Sequence, residues 1–320
     1  MIKLLFALTL VVYSQFSVAA PWPEKSIKLI VPFPPGGGTD IVARTIAAQL
    51  STRLGQTVVV ENRPGAGGTI GANAVAMSEP DGYTIGIATS STHPAAVVLR
   101  NDLPYNPIQS FAPITQIGST AYVLVASPEL PAKNLETFIE YAKQNPGKLN
   151  FANVGASTLG YLVSLQFEAL TGIKLAHITY KGSAQAYPDL IAGRASVFFD
   201  NPGASTALVN TQKLNAYGVT IATPELKDVP LFSLAGKGNG LHAFDTPFWY
   251  GLVAPAATPR AIVERIQQEV EKYVQSDSGK VELAAFSLQP VGSTPAQFAE
   301  RIRLDTEQFK ALALQVDLKL

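Results

Sequence analysis

From Ile27 onward the chain alternates short runs rich in β-branched residues with stretches that carry helical spacing, over almost its whole length. That alternation restricts the fold more than any other feature. Strand–helix–strand units build an α/β fold with largely parallel sheets and helices on their faces. Residues 27–31 read as the first strand and 41–54 as the helix after it. Val42, Ile46, Leu50 and Leu54 recur every fourth residue, giving that helix one buried stripe, and Gly55 ends it in the left-handed position such an end favours. Strands are expected at 57–60 and 83–88 with a helix at 69–77 between them. After an irregular, proline-containing stretch at 94–113, strands follow at 114–117 and 122–126. The alternation then restarts: helix 135–144, strand 149–152, helix 158–170, strand 177–180, helix 184–191, and strands 196–199 and 215–221.

The last third differs. Residues 224–240, rich in glycine and proline, read as a surface excursion, and 248–254 as a returning strand whose Phe248, Trp249 and Tyr250 pack in the core. Two helices close the chain, opened by Thr258-Pro259 and Thr294-Pro295. A threonine hydroxyl there caps the first free backbone N–H groups, and proline stands where its missing N–H costs nothing. Two alternating units followed by a return predict two lobes, residues 21–121 plus 223–320 and residues 122–222. The chain would cross between them near 116–123 and 219–225. Two crossovers make a hinge with a cleft beneath it; a single large α/β domain is the alternative.

Residues 1–20 are set aside as a signal peptide. Lys3 supplies the positive start, residues 4–13 an apolar run broken only by Thr9, and Val18-Ala19-Ala20 the small residues before a cut after Ala20. The run is too short to span a bilayer, which takes about 20 apolar residues. The expected location is therefore the periplasm. The chain has no cysteine, which excludes disulfides, thiolate metal sites and cysteine nucleophiles. Its 24 basic and 24 acidic side chains balance, so it lacks the electrostatic footprint of a nucleic-acid binder.

Four loops stand where a predicted strand gives way to a helix. They are Phe33-Pro34-Pro35-Gly36-Gly37-Gly38-Thr39-Asp40, Asn62-Arg63-Pro64-Gly65-Ala66-Gly67-Gly68-Thr69, Asn153-Val154-Gly155-Ala156-Ser157-Thr158 and Tyr180-Lys181-Gly182-Ser183. At a helix start the first N–H groups lack internal partners and the dipole is positive, so an anion can bind there without lysine or arginine. Glycine lets the ligand approach the backbone, and hydroxyls add donors. Neither glycine-rich loop carries the lysine of a phosphate-binding loop, and Gly65, Gly67 and Gly71 miss the dinucleotide spacing by one residue. Any one such loop could be a plain turn. Together, two in each expected lobe, they predict a cleft for a small carboxylate.

Catalytic patterns are weaker. His93, His177 and His242 have no metal-ligand spacing, and no nucleophile elbow surrounds a serine; neither metal nor cofactor is expected. His177 reads as a structural residue in a strand. His93, in Ser90-Ser91-Thr92-His93-Pro94 just past a strand end, is a candidate for the cleft, and Asp200-Asn201 could orient a ligand or a water.

The chain resembles the substrate-binding receptors of tripartite tricarboxylate transporters, the Bug receptors. The matching stretches are 30–40, 60–68, 80–84, 180–183, Phe199-Asp200-Asn201 and 292–298, together spanning most of the chain after the signal peptide. The resemblance implies a two-lobed type II periplasmic binding protein, monomeric and not an enzyme. It implies a small carboxylate between the lobes and delivery to a membrane complex of one large and one small integral subunit. Contacts would fall on Gly36, Gly37, Gly38 and Thr39 with Asp40 alongside; Phe33, Gly67, Gly68, Ser90, Ser91, Thr92 and His93 are further candidates from their places in the loops. From the second lobe contacts would fall on Ala156, Ser157, Thr158, Tyr180, Lys181, Gly182, Ser183 and Asp200. Where the family usually has histidine and leucine after the third loop, this chain has Leu159-Gly160-Tyr161. Two rival functions remain: a sensory module presenting its ligand to a membrane kinase, and a secreted hydrolase or isomerase using His93 and Asp200.

Overall fold

The computed structural model describes residues 22–316; the expected signal peptide and its cut lie outside the described residues. The chain opens with β1 (Ile27–Val31), α1 (Gly38–Leu54), β2 (Val58–Asn62), α2 (Thr69–Ala76), β3 (Thr84–Thr89), α3 (Ala96–Leu99) and β4 (Phe111–Thr120). A second group follows: β5 (Val123–Ala126), α4 (Leu135–Gln144), β6 (Asn150–Asn153), α5 (Leu159–Thr171), β7 (Ala176–Thr179), α6 (Ser183–Ile191), β8 (Val197–Asp200), α7 (Pro202–Asn210) and β9 (Asn215–Val219). The chain ends with α8 (Phe232–Ala235), β10 (Phe248–Pro255), α9 (Arg260–Val274), α10 (Asp277–Ala284), β11 (Gln289–Pro290) and α11 (Pro295–Gln315).

Two sheets result, ordered β11-β4-β10-β3-β1-β2 and β7-β6-β8-β5-β9. Each is the centre of one lobe of the α/β fold. In β1, Ile27, Leu29 and Val31 are buried on the face that packs with Val42, Ile46 and Leu50 of α1, while Ile30 is buried on the other with Ala72 and Val75 of α2. A strand with successive residues buried on both faces is the mark of a sheet covered by helices on each side.

The sheets are less parallel than the alternation predicts. The pairs β1–β2, β1–β3, β6–β7 and β6–β8 are parallel, but β10 and β11 in the first sheet and β5 in the second pair antiparallel with their neighbours. The exceptions cluster on β5 and β10, which arrive from the other sheet instead of through a crossover helix. Nothing then imposes the parallel direction.

The first crossing is Ala121-Tyr122, between β4 and β5, inside the expected interval. Residues 224–244 do not make a bare surface excursion. Phe232 and Phe244 are fully buried against Phe167 and Phe199 of the second lobe, with ring centroids 5.7–5.9 Å apart. Val219 bridges to Leu231. The chain regains the first sheet only at β10. Three helices close the molecule instead of two, and α7 stands where no helix was expected. Of the two Thr-Pro starts, only Thr294 caps: it accepts from the Gln297 N–H at 3.3 Å while Gln297 Oε1 accepts from the Thr294 N–H at 2.9 Å. The Thr258 hydroxyl is buried without a partner, and the helix starts one residue later, at Arg260 after Pro259.

Candidate functional site

Between the sheets lies a cavity of about 310 Å³, near the lower end of the roughly 300–1,000 Å³ typical of small-molecule sites. From the first lobe it is lined by the loop before α1 and by Ser91 and Phe248. From the second it is lined by Asn153, Val154, Thr158 and Gly160 around the start of α5, by residues 181–185 at the start of α6, and by Asp200 and Asn201 at the end of β8. Tyr122, at the first crossing, closes it between them. α1 and α6 both start without a side-chain cap, after Gly37 and Gly182 respectively. Their first amide groups are the unpartnered donors of the wall.

Of the residues expected at the site, Phe33, Gly37, Gly38, Thr39, Ser91, Thr158, Lys181, Gly182, Ser183 and Asp200 line this cavity. Gly36 and Asp40 do not. The Asp40 carboxylate accepts from the Gly36 N–H at 3.0 Å, from Arg44 at 2.9 Å and from Asn62 at 2.8 Å. Burial pushes this carboxyl up, but those hydrogen bonds more than offset it and hold it below its usual value. Asp40 thus shapes the loop, and the Gly36 N–H it uses is withdrawn from any ligand.

His93 is a second correction. It is buried among Phe111, Tyr105 and Trp249, 4.7 Å from the Phe111 centroid, with Nδ1 on Thr92 Oγ1 at 3.0 Å. Burial pushes it down to about 3, so it is neutral and away from the cavity. Ser90 is bound to the Trp249 backbone, and Thr92 is tied into a knot with Thr89. Tyr180 turns outward, its hydroxyl donating to Asp189 at 2.8 Å. Gly67 and Gly68, with Ala156 and Ser157, lie beside the cavity: a Cβ on Gly67 would come within 2.6 Å of the Ser157 carbonyl.

Sequence reasoning missed Tyr122, Phe151, Gly160 and Gln185, and gave Phe248 to the core alone. Apolar runs hide Tyr122 and Phe151. Asn201-Pro202 did carry a signal, a helix start directly after a strand end. Gly160, at the departure from the family pattern, faces Phe199 and Tyr122, while Tyr161 packs on His177 at 5.1 Å. His177 also contacts Glu168 Oε1 at 2.6 Å, away from the cavity.

Charge in the cavity wall is sparse. Lys181 is exposed and makes no ion pair among the described residues. Asp200 is 3% exposed. Its Oδ1 accepts from Ser183 Oγ at 3.0 Å, and its Oδ2 from the Tyr187 hydroxyl. Burial pushes it up to about 6, against those two donors, the Asn201 backbone and Ser205. Buried phenols surround it: Tyr187, Tyr122 and Tyr250, all held above their usual range chiefly by burial. Among the described residues no cluster could hold a metal ion, and no helix is long and apolar enough to cross a membrane.

Residues 42–318 match the model of the tripartite tricarboxylate transporter family receptor. The chain belongs to that receptor family. Its members are periplasmic solute-binding proteins. Protein BugT of Bordetella pertussis is 32% identical over 312 residues, covering 95% of this chain and 94% of BugT. The R. palustris protein Rpa4515, solved with adipate, superposes with a TM-score of 0.88 at 32% identity over 92% of this chain and 98% of that one. MatC from Rhodopseudomonas palustris, solved with malate, gives 0.84 at 28% identity over 91% and 99%. The periplasmic binding protein BugD gives 0.87 at 29% identity over 93% and 99%.

Proposed function

We propose that this receptor captures a small carboxylate between its lobes in the periplasm and delivers it to a membrane transporter with one large and one small integral subunit. The observation that carries the reading is the pair of uncapped helix starts, α1 and α6, meeting from opposite lobes at one cavity. Backbone N–H groups there suit a carboxylate, and Phe33, Tyr122, Phe151 and Phe248 suit its carbon skeleton. The neighbours solved with adipate and malate support the acid as ligand class. The lobes are taken as residues 21–121 plus 223–320 and residues 122–222, with Phe232 and Phe244 packing across onto the second. Residues 1–20 are taken as a signal peptide cut after Ala20, and the mature receptor as a monomer.

Capture follows from differential contact. Only a closed form lets both helix starts reach one ligand, so the ligand favours closure. The test is a thermal-unfolding screen of residues 21–320 against acetate, benzoate, succinate, malate, adipate, citrate and glutamate. An acid at 100 times its Kd adds about 2.7 kcal/mol of stability and raises Tm visibly. If no acid moves Tm while a neutral or cationic solute does, the carboxylate reading is wrong.

A further inference from the structure

Asp200 sets an electrostatic problem that the receptor reading, on which this inference rests, does not solve. The wall that would receive an anion already contains a buried acid. No cation is among its hydrogen-bond partners: Ser183 and Tyr187 come from α6, the Asn201 N–H and Ser205 from the start of α7, and the neighbouring phenols are Tyr122 and Tyr250 from the hinge side and β10. The one basic side chain lining the cavity, Lys181, is solvent-exposed. Two carboxylates sharing one small cavity raise the proton affinity of at least one of them. A ligand held by helix amides has its charge stabilised, whereas Asp200 has the less favourable surroundings and takes the proton.

We propose that anion capture in this cavity is coupled to uptake of one proton by Asp200. The proton comes from solvent: the ligand carboxylate, the Asp200 carboxylate and a proton become a bound carboxylate beside a neutral Asp200. No bond of the ligand changes. The cavity wall is poised for this, because burial already pushes Asp200 up to about 6, so the arriving charge need move it only a little further to cross neutral pH. Protonated Asp200 retains two oxygens for Ser183 and Tyr187, so the wall can keep its shape.

The test is titration calorimetry between pH 7.0 and 8.5, using the acid from the panel above that raises Tm most. It is run in two buffers of different ionisation enthalpy. The expected result is uptake of between about half and one proton per ligand at pH 7, with affinity falling up to about tenfold per pH unit above it. Asp200→Asn should abolish both the uptake and the pH dependence, and should bind more tightly than the unaltered receptor at pH 8.5. Tyr187→Phe, which removes a donor from the carboxylate, should shift the midpoint to higher pH and serves if Asp200→Asn does not fold. Binding with no proton uptake, or uptake that persists in Asp200→Asn, overturns the proposal and leaves the receptor reading standing. Failure of every acid to bind overturns both.

Discussion

A buried imidazole with no acidic partner makes His93 a liability in acid. In the folded chain burial holds it down to about 3, whereas an unfolded histidine takes its proton near about 6.5. Between those values the unfolded chain binds a proton the native state refuses. Stability therefore falls as pH drops through the upper value, by about 1.4 kcal/mol per pH unit, until the lower one is reached. Asp200 works in the opposite direction. Its value is raised to about 6 in the fold, so the native state gains stability as pH falls through that value. The two slopes overlap, so between pH 6 and 4 the gain from Asp200, joined by that from Asp305, which burial also raises, offsets the loss from His93. The difference isolates each group: urea unfolding of His93→Gln should lose the acid-side destabilisation and gain stability toward pH 4.5 relative to its own value at pH 7. A parallel decline in both proteins would contradict the assignment. The sequence placed His93 two residues beyond Ser91, which lines the cavity, but could not give its direction. In the turn that follows β3, Ser91 faces the second lobe, its Oγ accepting from the Leu159 N–H at 3.0 Å, while His93 points into the aromatic nest around Trp249.

At the scale of elements, two identical Thr-Pro signals ended differently, and stability should record it. Thr294 completes a reciprocal cap with Gln297, so Thr294→Ala should cost about 1 kcal/mol. The Thr258 hydroxyl is buried and unpartnered, so Thr258→Ala removes no bond and should stay within about 0.5 kcal/mol. Guanidinium denaturation separates the two. Equal losses would mean that both hydroxyls cap. The strands and most helices were legible because burial imposes a period on them: α4 runs over the expected residues 135–144, with Leu135, Phe138, Ile139 and Ala142 buried. The helices that escaped notice are short: α3 and α8 have four residues each, and in α7 and α10 Gly203 and Gly279 dilute the apolar pattern. Phe232 and Phe244 were missed for a different reason, since each enters the core singly from an irregular segment with no period to reveal it. The glycine loops were legible as helix starts. Which of them open on one cavity depends on sheet order: β2 is an edge strand, and the loop after it meets Ser157 beside the cavity.

Loops from the two sheets meet across the cleft, and one close approach allows a test of whether closure governs binding. Gly67, from the first lobe, has φ +67°, and a Cβ there would lie 2.6 Å from the Ser157 carbonyl oxygen and 2.7 Å from its Cβ. Gly182 approaches Pro34 in the same way from the other side of the cleft, where a Cβ would sit at 3.4 Å. Gly67→Ala therefore carries two penalties, the left-handed backbone of a residue with a side chain and a collision across the cleft. Gly55→Ala carries only the first: its φ is +70°, and nothing lies within 4 Å of the added carbon. Both variants should lose about 1 kcal/mol of unfolding stability through the backbone. Only Gly67→Ala should also bias the lobes open. A ligand that binds the closed form then binds more weakly in proportion to the fraction still able to close, and about 1.4 kcal/mol against closure makes that fraction tenfold smaller. Small-angle scattering with ligand present should show a larger radius of gyration for Gly67→Ala than for Gly55→Ala. Calorimetry should show roughly tenfold weaker binding in the first and unchanged binding in the second. Equal affinities would mean that the Gly67–Ser157 contact forms without bearing on capture, and that the cavity fills by a route that does not bring these two loops together.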